Sequence, residues 1–370
     1  MFRTTAARVT GSRSHHPRRL LVQTASAAVA MGLLLAACGS SGEASDGSGS
    51  GGEPVTMKIA SAPTDVYLMD EFALDQGLFA KHDLKVDKFI YPQSGVQGAQ
   101  LLTSGAVDAM QQDTLLTMAS FANGQKGKRP IIVGMRMPTT TYSIITRDSF
   151  DGAPADASFE EKMKALEGKT IGVTAIGAGA DQQLTLALEE AGMDKDSVTR
   201  LGVGQMPPMI AQLKSKRVDA VISQTWASSR MMEAATGGSI YVEYTDPAAP
   251  EMISGQQVGP LVVREDFLKK NPEAVKNYLA LQTTIKDEML ENPDTAAEFL
   301  NKRTFDGKAA ELSAAYVDDW SKNVITKADP QWRMSREVFD RMVAVGVQIG
   351  LLKEGQVTYE DMVADFAQMD

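Results

Sequence analysis

Apolar and polar positions along residues 55–370 fall into blocks that read alternately as strands and helices. Thr56 to Ala60 is predicted to be a short strand, followed by a turn over Ser61 to Asp65 and a helix to about Gln76, closed by Gly77. Lys85 to Tyr91 then reads as a strand, Gly95 to Thr103 as a helix, Val107 to Met110 as a strand and Thr114 to Ala122 as a helix. The order restarts at Lys169 to Val173, a strand that enters the Gly-containing loop Thr174 to Ala180. In the next helix Leu184, Ala187, Leu188 and Ala191 fall at helical spacing, and Gly192 ends it. Alternating strands and helices predict an α/β protein with a parallel sheet covered on both faces.

An internal echo points to two related lobes. Leu102 to Ala109 aligns with Leu213 to Ala220, each ending a helix and opening a strand around a shared Val-Asp pair, Val107-Asp108 and Val218-Asp219. The strand-loop-helix units that begin at Lys58 and Lys169 have the same spacing, which favours duplication over coincidence. Thr140 to Arg147 reads as a β-rich crossover, and after about Tyr244 the chain is expected to return to the first lobe through Gly259 to Val263. The remaining tail is helical. Asn271-Pro272 and Asn292-Pro293 each supply a cap residue and a first-turn proline, and Val275, Tyr278, Leu279, Ile285 and Met289 form a core-facing stripe. About 315 residues are enough for two compact units, expected at 55–140 with 250–370 and at 141–249.

The N-terminus changes the picture. Arg3, Arg8, Arg13, Arg18 and Arg19 precede a weakly hydrophobic run from Leu20 to Ala37 that contains no acidic residue, the pattern of a cleavable export signal over 1–37. Leu35-Ala36-Ala37-Cys38-Gly39 resembles the bacterial lipobox, in which the thiol after the cut carries diacylglycerol. Cys38 is the single cysteine of the 370 residues. The Gly/Ser-rich stretch that follows would leave a buried free thiol without a core, so 38–54 is read as a flexible tether behind a lipid anchor. Arg18-Arg19 also resembles part of a twin-arginine signal, though Pro17 and the flanking residues leave the export route open.

Charge and residue counts narrow the chemistry. The chain carries a formal charge of −10, and loss of the arginine-rich signal makes the remaining body more acidic, which disfavours nucleic acid as a partner. Two of the three histidines, His15 and His16, leave with the signal, and His82 is read as a solvated turn residue. A Ser-His-Asp or Cys-His arrangement would have to use His82, and zinc sites built on His and Cys cannot be assembled. No cofactor and no enzymatic activity are expected.

Residues 55–367 resemble the substrate-binding proteins of ABC uptake transporters, in the group that handles nitrate, sulfonates, taurine and thiamine precursors. The likeness rests on Leu102 to Asp108, Leu166 to Val173, Leu188 to Met193, Lys214 to Ala220 and Phe267 to Val275, in that order and spacing. It implies a two-lobed periplasmic-binding-protein fold of the type II kind. Two crossing strands join its lobes, and a ligand cleft lies between them with helix N-termini facing it. It also implies partners: a small-molecule ligand, an ABC permease and an ATPase, with a monomer expected. Matching the family's loops to this chain gives Thr64, Asp65, Ser94, Gly95, Asp113 and Thr114 in the first lobe. Gly177, Gly179, Asp181, Gln224 and Trp226 follow in the second, with Tyr142 at the crossover. Pro63, Gln93, Gln112, Ala178, Ala180, Ser223, Thr225 and Thr141 lie in the same loops.

Each candidate also has a plain alternative. Asp65, Asp113, Asp181 and Ser94 are suited to capping their own helices, Met206 to Met209 reads as a stiff loop, and Gly177 to Gly179 as a tight turn. Trp226, directly after the strand Asp219 to Ile222, is expected as a cleft wall. Aspartates facing the cleft would favour a cationic or neutral nitrogen ligand such as a pyrimidine; aspartates acting as caps would leave an anion open, with Arg136 the nearest cation. Two other functions share the lobes: a ligand-sensing lipoprotein without a permease, and enzymes that make the thiamine pyrimidine, whose cysteine-rich motif and reactive histidine have no counterpart here.

Overall fold

The computed structural model describes residues 53–224 and 226–369. The signal segment 1–37, the lipidation site Cys38, nearly all of the tether and Thr225 lie outside the described residues.

Two mixed sheets organise the chain. The first has four strands in the order Ile59–Ala60, Ala109–Gln111, Gly259–Arg264, Pro130–Met137, with an isolated bridge from Ala60 to Ile90 on its outer side. The second has five, in the order Ser239–Glu243, Ser143–Thr146, Ala220–Ser223, Thr170–Val173, Thr199–Gly202. The expectation of a parallel sheet is corrected. In each lobe one inserted strand runs antiparallel to its neighbours: Gly259–Arg264, returning from later in the chain, between Ala109–Gln111 and Pro130–Met137, and Ser143–Thr146 between Ala220–Ser223 and Ser239–Glu243. The strand-helix steps themselves are parallel, as Ile59 to Ala109, Thr170 to Thr199 and Ile171 to Ala220.

The echoed sequence marks a repeated brace. Asp108 accepts from the Lys58 amide at 3.0 Å and pairs with Arg264 at 3.2 Å; Asp219 accepts from the Thr170 amide at 3.0 Å and pairs with Arg147 at 3.1 Å. Arg264 ends the strand inserted into the first sheet, and Arg147 directly follows the strand inserted into the second. Each Asp thereby ties an inserted strand to the start of a neighbouring strand-helix step, at Lys58 and at Thr170.

Helices cover both sheets. Pro272–Glu291 buries Val275, Tyr278, Leu281, Ile285 and Met289, while Leu279 is only partly buried. Pro272 and Pro293 occupy first-turn positions, but Asn271 and Asn292 supply no side-chain cap; their amides donate to Phe267 O and Glu288 O of the preceding turn. His82 is half-buried rather than a solvated turn: its Nε2 lies 2.8 Å from the Thr284 hydroxyl, and burial lowers its pKa. Arg136 is fully buried away from the cleft, paired with Asp70 at 2.6 Å and held by Gln111 and Gln282.

Candidate ligand-binding site

Between the two sheets lies a cavity of about 770 Å³, its mouth included. One wall comes from first-lobe residues, among them Thr64, Tyr67, Ser94, Gly95, Gln112, Asp113 and Leu116; the other from Thr174, Ala178, Gly179, Gln205, Met206, Met209, Ser223, Gln224 and Ser228; Tyr142 joins from the crossing strand's start. The short strands end here, and the helices that follow them open toward the gap.

Three of the helix starts are occupied by side-chain oxygens, while Gly179–Glu190 and Met206–Lys214 start without a side-chain cap. Ser94 Oγ accepts from the Gln97 amide at the start of Gly95–Ser104. Asp113 Oδ1 accepts from Leu116 at the start of Thr114–Ala122, while its Oδ2 takes the Tyr142 hydroxyl at 3.0 Å. The first-turn amide of Ala227, in Trp226–Thr236, donates to Asp65 Oδ2 at 2.8 Å, and the Ser228 hydroxyl donates to Asp65 Oδ1 at 2.9 Å. Asp65 therefore caps a helix of the opposite lobe, a role distinct from both its expected ones, the cap of its own helix and the ligand contact. Burial raises its pKa against the pull of those two donors. Burial likewise lifts Asp113 to about 6, opposed by the Leu116 amide and the Tyr142 hydroxyl.

The fit is tight at Gly179. A methyl group there would stand 2.7 Å from both the Asp113 carboxyl carbon and the Tyr142 oxygen, so the closeness of the lobes depends on the missing side chain. Gly177 is needed for a different reason, its φ of +77°.

Seven of the twelve ligand candidates line the cavity: Thr64, Ser94, Gly95, Asp113, Tyr142, Gly179 and Gln224. The other five lie outside the lining. Asp65 is the cross-lobe cap. Thr114 is buried and donates to the Gln257 carbonyl, securing the approach to Gly259–Arg264. Gly177 donates its amide to Asp181 Oδ2 at 2.8 Å, and Asp181 also faces Arg200 at 3.4 Å, so this pair shapes the loop behind the wall. Trp226, expected as a cleft wall, instead stacks beneath the Arg230 guanidinium at 3.8 Å and against Tyr316 at 6.1 Å. As the first residue of its helix, it shares a face with Arg230 one turn on.

Several lining residues escaped the sequence reading. Met206 to Met209 is the first turn of the helix Met206–Lys214, with Pro207 and Pro208 at its start, and Met206 and Met209 form part of the wall. Two prolines ahead of a 3.6-residue period were the available signal. Val66, Tyr67, Met110 and Leu116 carried none, because apolar residues after a strand read as core.

Among the described residues the lining contains no Lys, Arg or His, and Asp113 carries its one carboxyl group. Gln112 is 2 % exposed, and neither its Oε1 nor its Nε2 has a protein partner. A buried polar atom left unpaired costs about 1–3 kcal/mol, a cost that a partner inside the cavity would remove. No group of three or more potential metal ligands occurs among the described residues.

Known proteins place this geometry in context. A binding protein of Brucella abortus is 27% identical over 243 residues, covering 62% of this chain and 65% of its own. The nitrate/nitrite binding protein NrtA of Synechococcus elongatus is 24% identical over 303 residues, covering 72% and 65%. The chain thus spans just under two thirds of the length of these curated relatives. The alkanesulfonate-binding protein SsuA of Xanthomonas axonopodis superposes with a TM-score of 0.64 at 14% identity, over 86% of this chain and all of that one. The desulfurization enzyme DSZB superposes at 0.56 and 14% identity, over 84% and 97%, so the fold by itself accommodates catalysis as well as binding. These likenesses establish the periplasmic-binding-protein fold. The NMT1-like family model matches residues 51–301, and the chain is a member of the NMT1-like family.

Proposed function

We propose that this chain is an extracytoplasmic solute-binding lipoprotein that captures one small molecule between its lobes and delivers it to an ABC importer. The observation that carries the reading is the cavity between the two sheets, walled by both and sealed by direct contacts across it. Binding in such a gap favours the closed arrangement, because only there can a ligand touch both walls. The lobes that close are 55–140 with 250–370 and 141–249, and Thr64, Ser94, Gly95, Asp113, Tyr142, Gly179 and Gln224 are the ligand contacts. Two features support transport over chemistry: relatives named as binding proteins, and a lining without thiol or imidazole. Export followed by diacylglycerol on Cys38 places the body on the outer face of the membrane, with the Gly/Ser-rich segment as its leash.

The test is expression of the full chain in a bacterial host with a radiolabelled fatty acid. The parent should carry label and sediment with membranes; Cys38→Ala should lose both, and equal label in the two would remove the anchor from the proposal. Crosslinking in intact cells of the native host should recover a permease and an ATPase. Recovery of a sensor protein instead would turn the reading to a ligand-sensing lipoprotein.

A further inference from the structure

We infer that Gln112 sets the ligand class: an uncharged molecule that presents a hydrogen-bond donor beside an acceptor, as a carboxamide or a ring lactam does, and not an oxyanion. The inference rests on the solute-binding reading and specifies what the same cavity takes.

Three observations converge. Both ends of the Gln112 side chain are buried and unbonded by protein, although the residue lines the cavity. Its neighbours on the chain have no such need: Gln111 accepts from Arg136 at 2.6 Å, and Asp113 is bonded at both oxygens. A primary amide has one acceptor oxygen and two N–H donors side by side, so its full complement is another donor-acceptor edge in the same plane. An oxyanion offers acceptors alone and would leave Oε1 unpaired.

The second observation is charge. An anion requires a cation or free amides, yet the described lining holds no Lys, Arg or His, and its one carboxyl group is that of Asp113. Of the helix starts at the cavity, the first-turn amides of Gln97, Leu116 and Ala227 already bond Ser94, Asp113 and Asp65, which leaves an anion only the uncapped starts of Gly179–Glu190 and Met206–Lys214, with no cation in the lining beside them. The third is the apolar part of the lining: Met110 and Leu116 beside Gln112, with Met206 and Met209 on the wall opposite, offer a polarisable surface suited to the flat body of a ring. A site built to hydrogen-bond a polar edge discriminates strongly against a ligand that lacks it, since its own buried groups are then stranded.

Isothermal titration of the mature protein would use two probe sets: nicotinamide, uracil and 2-pyridone against nitrate and methanesulfonate. At least one amide-edge probe should bind, and neither anion should. Gln112→Met, close in shape but without donor or acceptor, should weaken amide binding tenfold or more, while Gln112→Asn should retain part of it. Circular dichroism melting of each variant separates lost binding from lost folding. Binding of either anion, or of no amide-edge probe, overturns the ligand class. Amide binding untouched by Gln112→Met overturns the role of Gln112 alone. A cavity-filling Thr64→Trp variant separates the two levels: anion binding that it abolishes keeps the cavity as the solute site while refuting the class, and amide binding that it leaves intact places the site elsewhere and refutes both.

Discussion

Asp113 caps a helix, braces Tyr142 and faces the cavity, and burial lifts its pKa from 3.8 to about 6. In the folded chain it holds its proton more tightly than in the unfolded one, so folding stability falls as pH rises from about 4 to 6 and the penalty is complete above 6. Asp113→Asn keeps a capping oxygen but cannot ionise. The parent should therefore gain about 2–3 kcal/mol relative to the variant between pH 7 and pH 4, measured by denaturant unfolding at both pH values. A difference that does not change with pH would show that the carboxyl titrates normally. This residue was legible as a cap from its place before Thr114–Ala122. Asp65 was not, because its partners Ala227 and Ser228 lie 162 and 163 positions away and no local spacing encodes them. Trp226 was misplaced for a similar reason: a strand end locates a residue at the rim, but its ring direction follows from Arg230 and Tyr316.

At the scale of elements, the helix Thr114–Ala122 was legible to the residue, because capping residues and apolar period are local signals, whereas Met206–Lys214, which starts without a side-chain cap, was read at its start as a stiff loop. Strand direction was not legible. Ser143–Thr146 and Gly259–Arg264 are fully or almost fully buried, and an apolar run of that kind has no mark of whether its neighbours run with or against it. What the sequence did carry was the Val-Asp echo, whose physical content is the repeated brace. Asp219→Ala removes the acceptor of the Thr170 amide and the partner of Arg147. The expected cost is about 1–3 kcal/mol in urea unfolding, and Asp108→Ala should cost a similar amount through Lys58 and Arg264. A negligible effect of both would reduce the echo to ancestry without present structural use.

For the whole molecule, the Asp65 bonds to Ala227 and Ser228 join the lobes through protein alone, and the Tyr316 hydroxyl donates to the Asp65 carbonyl behind them. Under the proposed solute-binding role, part of the free energy of closing is then independent of what fills the cavity, and a ligand would supply only the rest. Asp65→Ala should enlarge the radius of gyration in small-angle scattering, and should weaken binding of any cavity ligand while leaving its selectivity unchanged. An unaltered scattering curve would assign closure to other contacts.

The twin braces have a mechanical corollary. Each inserted strand is fixed in its sheet at the end remote from the cavity, Arg264 by Asp108 and Arg147 by Asp219, and moves as part of that sheet. Any swing of one lobe against the other must be absorbed in the connecting stretches 138–142 and 244–258, which hold Thr140, Thr141 and Tyr142 on one side and Tyr244 and Gln256 on the other. The hinge runs beside the binding wall, so a small twist at Tyr142 moves both the pivot and the hydroxyl that meets Asp113.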